Sequence, residues 1–457
     1  MEILVISFTI LYAILAWKRL DLATALLIVA LPVYQIRFNI LGLPSTLLEV
    51  MILVLFLAWF IKSWRNKELP LFNSKLKNIK SYPFSREIIL LLVIAFIATA
   101  VTGFSNPAFG ILKAYFIEPI MFFIVFVNVF KFKENRNKIF WALSISALVV
   151  SLVAIYQRIT GNLMPAEWVD SGRITGVFNY PNAVGLYLGP IALILIGKLL
   201  ISLRNIKYLI LNIFLSVTII LSLISIYLAK SEGALIGIAA ALFIFGLLYT
   251  KWSRRIVIGA VVISAIILSF NANLRNDVYK KVSLQDKDGQ IRIQLWKETW
   301  GMLKDNKFIL GAGLANYQNA IIPYHQSGIF IRNDDPEFDK MVRISLEYQQ
   351  QVWQPLEIYL YPHNIILNFW SELGIAGVLL FIWIIGKYFI IGIRNNELGI
   401  MQREIILGLI GAMIVIAVHG LVDAPYFKND LAVLFWILIA MIGIYNLDKQ
   451  KSSEQSH

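Results

Sequence analysis

Long hydrophobic runs alternate with short polar connections along almost the whole chain. Thirteen runs are long enough to cross a membrane as helices, or nearly so when tilted. They lie at residues 3–17, 20–34, 46–62, 86–104, 108–130, 138–159, 180–201, 206–228, 232–250, 254–271, 363–392, 402–421 and 428–446. The first two are short, so the pattern predicts an all-α polytopic membrane protein with 12 or 13 transmembrane helices.

The composition agrees with that prediction and removes several kinds of chemistry. Of the 457 residues, 58% are hydrophobic and only 15% are charged, too few to cover the surface of a soluble protein of this size. Cysteine is absent, which excludes disulfides and thiol catalysis. The four histidines lack metal-ligand spacing, so no metal site and no cofactor are expected. The amino-terminal run lacks a basic leader and a cleavage site, which indicates a retained helix.

The basic residues predict which side each connection faces. More than half of the 41 Lys and Arg residues lie in alternate connections, among them seven between residues 62 and 86. Connections rich in Lys and Arg stay in the cytoplasm, so we interpret the net charge of +13 as a topology signal and expect no nucleic-acid partner. The other short connections hold only Arg37, Arg158, Arg173, Lys230 and Lys428.

This orientation places the long polar segment, residues 272–362, on the outer side. The segment holds 11 basic and 11 acidic residues, a balance unlike that of the cytoplasmic connections. Its apolar spacing predicts an interfacial helix from about residue 290, broken at Gly311-Ala-Gly313, and a second helix over about 336–360 after the acidic Asn333-Asp334-Asp335. We expect three parts: transmembrane helices in 1–271, an extracytoplasmic cap in 272–362, and transmembrane helices with a short tail in 363–457.

Ionisable groups at the outer surface are the candidates for chemistry, because charge near lipid is costly. They are Arg158, Arg173, Lys230, Arg292 and His363. Guanidinium groups match two phosphate oxygens at once and stay charged at any relevant pH. A neutral imidazole can take a proton from a hydroxyl group. Together they would support displacement of a diphosphate from a sugar by an acceptor hydroxyl, without a metal.

Structural roles compete with each of these assignments. Arg158 and Arg173 would also be explained as side chains that extend to lipid phosphates. Lys230 and Glu232 would form a local ion pair that closes a turn, and His363 would cap its helix. His325 and His419 fit structural roles better than chemistry, and the aromatic residues around the outer segment fit an interfacial belt.

Four motifs, in the same order, resemble the O-antigen ligase and O-antigen polymerase superfamily of bacterial inner-membrane proteins. They cover about residues 155–390. The motifs are Arg173-Ile-Thr-Gly176-Val-Phe-Asn179-Tyr-Pro181-Asn182, Ser231-Glu232-Gly233-Ala234, Arg292-Ile-Gln-Leu-Trp296 with Gly311-Ala-Gly313, and Pro362-His363-Asn364 through Glu372-Leu-Gly374-Ile-Ala-Gly377.

The resemblance implies about a dozen helices with a periplasmic cap, in the bacterial cytoplasmic membrane. It implies metal-independent, inverting transfer of an undecaprenyl-diphosphate-linked glycan to a lipid or glycan acceptor. His363 would be the catalytic base and Arg292 would bind the diphosphate, with Arg173 and Lys230 beside it. Asn182, Asn364, Glu232 and Glu372 would be supporting residues.

One position departs from the family pattern. Where the family has Ser-Arg-Gly, this chain has Ser231-Glu232-Gly233. A glutamate cannot bind a diphosphate, so Lys230 or Arg173 would take over that contact, or this member handles its donor differently.

Other functions remain open on the sequence alone. The same donor chemistry serves a ligase, a polymerase and a protein O-oligosaccharyltransferase. A transporter or flippase of lipid-linked glycans would place charges and Gly or Pro breaks deeper in the membrane, as Lys113, Glu118 and Pro119 do within one run. A binding or sensing membrane protein without turnover is the third alternative.

Overall fold

The helices follow the hydrophobic runs closely. The computed structural model describes residues 2–40, 43–66, 82–332, 335–397 and 402–454. The helices are α1 (Glu2–Lys18), α2 (Leu20–Val29), α3 (Leu47–Arg65), α4 (Ser85–Val101), α5 (Asn106–Ile111), α6 (Glu118–Phe130), α7 (Asn137–Thr160), α8 (Ala166–Val169), α9 (Asn182–Ser202), α10 (Leu209–Leu228), α11 (Glu232–Tyr249), α12 (Lys251–Phe270), α13 (Ala272–Val282), α14 (Lys287–Met302), α15 (Tyr317–Ile321), α16 (Phe338–Ile344), α17 (Leu346–Val352), α18 (Ile365–Glu397), α19 (Arg403–His419) and α20 (Asn429–Glu454).

Each of the thirteen hydrophobic runs contains a helix, which confirms the predicted all-α polytopic fold. By length and composition, nine helical stretches within the described residues could cross a membrane. Helices α1, α4 and α19 have 17 residues each, and α2 has 10. Helices α5 and α6 are joined by a π-helical segment, Leu112–Ile117, and form one stretch with it.

The centre of the bundle lies around three helices. The most hydrophobic part of α20 is 89% buried within the protein and that of α9 is 72% buried, whereas that of α12 is not buried at all. Helix α9 packs against α19, α10 and α11, and α20 packs against α6 and α18. Helices α9, α19 and α20 are therefore the frame on which the ends of the bundle are built.

Two small two-stranded antiparallel sheets accompany the helices and were not predicted. Strands β1 (Arg37–Ile40) and β2 (Leu43–Thr46) pair ahead of α3. Strands β3 (Gly328–Phe330) and β4 (Trp353–Pro355) pair within the long polar segment. Thr46 then begins α3 with a capping box, in which its side chain accepts a hydrogen bond from the backbone N–H of Glu49.

The polar segment 272–362 contains short helices, and one of its two predicted helices is wrong. The interfacial helix exists as α14, which is followed at Leu303–Lys307 by a kink where Asp305 and Asn306 have non-helical backbone conformations. The second helix, expected over 336–360, is instead α16, α17 and strand β4. Ser345 separates α16 from α17 because its backbone is extended and its side chain caps α17. Asn333 and Asp334, expected before that helix, lie outside the described residues.

The polar segment is attached to α18 at a break in that helix. Gly374 has a φ of +72°, and a Cβ at this position would collide with the carbonyl oxygen of Ile309. The backbone N–H of Ile375 donates to the Ile309 carbonyl at 3.1 Å, and that of Ala312 donates to the Ser371 carbonyl at 2.6 Å. The two glycine motifs of the sequence therefore meet at one junction between the segment and the bundle.

The three-part division of the chain stays a prediction. Its second boundary, at residues 362 and 363, coincides with the start of α18, where the candidate site begins.

Candidate functional site

His363 precedes α18 in a left-handed backbone conformation, with φ of +48°. The side chain of Asn364 caps the helix, since its oxygen accepts hydrogen bonds from the backbone N–H groups of Ile366 and Leu367 at 3.0 and 3.1 Å. The backbone N–H of Ile365 also donates to the carbonyl of Gly420 at 2.7 Å, which ties this turn to the end of α19. Because Asn364 supplies the cap, the imidazole of His363 is left for other contacts.

A buried carboxylate, Asp423, faces His363. Asp423 lies in the connection between α19 and α20 and is 4% exposed. Its Oδ1 lies 3.5 Å from Nδ1 of His363, and its Oδ2 lies 3.9 Å from Nε2 of His419. The side-chain amide of Asn182 donates to Oδ2 at 3.0 Å. One carboxylate therefore links the starts of α9 and α18 to the end of α19.

The surroundings of Asp423 keep it ionised. Burial alone would raise the pKa of this carboxyl, but the hydrogen bond and charge of His363, the charge of His419 and the backbone N–H of Ala424 outweigh burial. The pKa of Asp423 therefore lies well below its ordinary value. Since Nδ1 of His363 faces this carboxylate, Nε2 is the nitrogen left for a substrate.

Arg173 extends the same network through Asn182. Its guanidinium donates to the side-chain oxygen of Asn182 at 2.9 Å and to the carbonyl of Ala229 at 3.1 Å, and it stacks over the ring of Trp168 at 5.4 Å. Lys230 donates from its ammonium group to the carbonyl of Ser171 at 3.1 Å. Arg173, from the connection before α9, is thus held next to Asn182 and against the turn between α10 and α11 that contains Lys230.

Arg292 approaches this turn from the polar segment. It lies on α14, half-buried, and its guanidinium has no hydrogen bond or ion pair with any of the described residues. One turn further along α14, the indole N–H of Trp296 donates to the carbonyl of Pro362 at 2.9 Å, directly before His363. This bond brings the helix that carries Arg292 to the start of α18.

The two arginines act on each other electrostatically. Burial is the largest cause of a lowered pKa at Arg173, and the charge of Arg292 lowers it further, against the carboxylates of Asp288 and Glu232. Two like charges that act on each other in this way favour an anion that neutralises both. The arrangement can therefore hold an anionic group beside an imidazole that is free at Nε2.

Three other candidate residues have different partners. Glu232 pairs with Lys281 of α13, so the local ion pair expected with Lys230 does not form. Glu372 is buried in α18 and accepts a hydrogen bond from the backbone N–H of Ala315 at 2.8 Å, so it supports the junction with the polar segment. His325 pairs with Glu298 at 3.3 Å within that segment, in keeping with a structural role.

Sequence reasoning missed Asp423 and assigned His419 a structural role. His419 and Asp423 stand four residues apart at the end of a hydrophobic run, where a buried acid is costly. That spacing was the available signal. It does not reveal that Asp423 faces His363, which lies 60 residues earlier in the chain.

Comparison with known proteins supports the motif-based prediction. A family model described as O-antigen ligase matches residues 217–382. The match contains Lys230, Glu232, Arg292 and His363, whereas Arg173, Asn182 and Asp423 lie outside it. No curated protein matches the chain. Over residues 217–382, the predicted resemblance to the O-antigen ligase and polymerase superfamily is confirmed.

Proposed function

We propose that this protein transfers a glycan from an undecaprenyl-diphosphate carrier to an acceptor hydroxyl, at the outer face of the bacterial cytoplasmic membrane. The observation that carries the proposal is the pairing of His363 with Asp423 beside Arg292, a half-buried guanidinium without a partner among the described residues. The family match supports glycan chemistry of this class. The distribution of Lys and Arg supports the outward orientation.

The reaction proceeds as a displacement at the first sugar carbon. Nε2 of His363 takes the proton of the acceptor hydroxyl as its oxygen attacks that carbon from the side opposite the diphosphate. The bond between the carbon and the diphosphate oxygen breaks, so the configuration inverts and undecaprenyl diphosphate leaves. Asp423 stabilises the imidazolium that forms, as a carboxylate next to a general base does.

The arginines act on the leaving group. Arg292 and Arg173 hold the diphosphate and stabilise the charge that grows on it during the displacement. The mutual repulsion of these two guanidiniums is relieved when the anion binds between them. Arg173 is a better replacement than Lys230 for the arginine of the family's Ser-Arg-Gly motif, because it lies next to Asn182 and interacts electrostatically with Arg292. Lys230, in the turn between α10 and α11, contributes a further positive charge.

The acceptor defines the biological role. A lipid acceptor makes the protein a ligase in lipopolysaccharide biosynthesis, a growing lipid-linked chain makes it a polymerase, and a protein makes it an O-oligosaccharyltransferase. All three share the donor half of the site and differ at the acceptor. The family description favours the ligase.

A second candidate function is transport of the same lipid-linked glycan. It is favoured by charges inside the bundle, next to the π-helical segment Leu112–Ile117. There Lys113 pairs with Glu49 at 3.0 Å, and the buried carboxylate of Glu118 has no hydrogen-bond partner among the described residues.

The deciding experiment is glycan transfer by purified protein from a synthetic undecaprenyl-diphosphate oligosaccharide, with EDTA present. We expect transfer by the wild type and a loss of about 10²–10⁴-fold in His363→Ala, the usual contribution of general base catalysis. Arg292→Ala should also lose transfer. Lys297→Ala, which removes an exposed cation from the same helix, is the matched control and should behave as wild type.

The outcomes separate the two functions. If the labelled lipid only changes leaflet, and both variants do so as well as wild type, transport replaces transfer. If transfer occurs, the length distribution of the glycan products distinguishes a polymerase, which makes a ladder of lengths, from a ligase.

A further inference from the structure

A charged cavity lies at the opposite end of the bundle from His363. It has a volume of about 260 Å³ and lies between the start of α7, the ends of α9 and α20, and the start of α19. Helices α7, α9, α19 and α20 also reach the candidate site with their other ends. The 21 residues of α9 separate the two places by roughly 30 Å along the helix axis.

The cavity is lined by cations. Lys133, Arg136 and Lys198 contribute to its wall together with the polar side chains of Asn137, Tyr208 and Gln402. No described carboxylate is among its lining residues. Glu404, at the start of α19, pairs with Arg204 instead.

The three cations differ in how many of their N–H donors have no hydrogen-bond acceptor among the described residues. The guanidinium of Arg136 uses four of its five N–H donors, two on the carboxylate of Asp448 and one each on the carbonyls of Phe130 and Lys131. The ammonium of Lys198 donates to the side chain of Asn137 at 2.8 Å and keeps further hydrogens. Lys133 is exposed and has no ion pair or hydrogen bond within the described parts of the chain.

Helix geometry adds to the positive potential. Helix α7 begins at Asn137, and no side chain caps its first turn. The first backbone N–H groups of this 24-residue helix carry the positive end of its dipole towards the same region. Two ammonium groups with spare donors, the phenols of Tyr208 and Tyr445 and a helix start therefore surround a cavity that is lined by no carboxylate of the described residues.

We propose that this cavity binds a phosphate group. Its volume is below the range of about 300–1,000 Å³ typical of pockets for drug-sized ligands, so it suits a headgroup and not a whole lipid. The positive-inside pattern places it at the inner leaflet, where anionic phospholipids supply such groups and where basic pockets between helices bind them. Free phosphate is the other source of the same chemistry.

Native mass spectrometry of the purified protein tests the proposal. Phosphatidylglycerol and phosphatidylcholine are offered separately to the wild type and to the double variant Lys133→Gln/Lys198→Gln. We expect the wild type to bind at least one phosphatidylglycerol in preference to phosphatidylcholine, and the double variant to lose about tenfold or more in occupancy at equal lipid concentration. A parallel measurement of inorganic phosphate binding, at constant ionic strength, covers the soluble source.

Two further variants serve as controls. Lys131→Gln/Lys207→Gln removes the same charge from exposed positions that do not line the cavity and should bind as wild type. Lys133→Arg/Lys198→Arg should retain binding. If the double Gln variant does not fold, the exposed Lys133→Gln alone is compared.

Each outcome of these binding measurements either supports or contradicts the proposed phosphate site. Phosphatidylglycerol binding that depends on the two lysines identifies a lipid headgroup site, and phosphate binding with the same dependence but no lipid preference identifies a soluble ligand. The proposal is overturned if neither ligand binds, or if the lysine variants bind as well as wild type.

Discussion

The histidine and arginine halves of the candidate site are held in place by different means. His363 contacts Asp423, which also meets Asn182 and His419, so this half is joined to three helices of the central bundle. Arg292 belongs to the polar segment and reaches the site through the Trp296 contact to Pro362 and through the junction at Gly374. The proposed catalytic base is therefore held by the central bundle, whereas Arg292, one of the two proposed anion-binding arginines, is held by the polar segment.

Removal of the carboxylate charge tests the histidine half and has the largest expected effect. In Asp423→Asn, the amide has nearly the same shape but cannot stabilise an imidazolium. We expect the turnover number for glycan transfer to fall by about 10²-fold or more while the donor KM stays close to wild type. Steady-state kinetics of the purified variant would measure both.

The control for this variant is Asp21→Asn, which removes a carboxylate paired with Arg19 and Lys138 elsewhere in the bundle. Equal loss of turnover in both variants would mean that Asp423 acts only on folding. An unchanged pH profile in Asp423→Asn would also contradict a role through His363.

The second prediction tests the junction at Gly374, which attaches the polar segment, and Arg292 with it, to α18. Gly374→Ala introduces a Cβ that collides with Ile309 and strains a backbone with φ of +72°, at a cost of about 1–3 kcal/mol. We expect a lower Tm and an increase of roughly tenfold in donor KM, because Arg292 moves away from Arg173. The thermal transition and the donor KM of the variant check this.

Gly386→Ala is the matched control, since Gly386 lies in the same helix and a Cβ there meets no atom within 4 Å. A normal donor KM in Gly374→Ala would show that the junction does not position Arg292.

The smallest effect is expected at Glu232, where this chain departs from the motif of the family that it resembles. Glu232 and Lys281 form an ion pair whose side chains are about half exposed, and such pairs contribute roughly 0–1 kcal/mol. Glu232→Gln should therefore change the Tm little and lower the donor KM by about twofold, because it removes a negative charge near Arg173. A loss of transfer comparable to that of Arg292→Ala would instead make Glu232 a functional residue.

The sequence predicted the helices because each is a hydrophobic run, and that property is local. It failed at 336–360, where Ser345 ends one short helix and caps the next and where strand β4 pairs with a strand more than 20 residues earlier. Such pairing depends on residues far apart in the chain.

Prediction of the candidate site was limited in the same way, by contacts between residues far apart in the chain. Arg173, Arg292 and His363 were found because charged groups at a membrane surface are conspicuous and their motifs resemble a family. Asp423 was missed because only the packing of α18 against α19 brings it to His363.

The junction at Gly374 has a consequence for how this protein can diversify. The polar segment is fastened to α18 by backbone hydrogen bonds between Ala312 and Ser371 and between Ile375 and Ile309, and by the side chains of Glu372 and Trp370. On the segment's side, these hydrogen bonds involve only residues between 308 and 315, so the junction places few demands on the rest of the segment's surface. The rest of the segment can therefore change in sequence while the bundle and the junction stay the same.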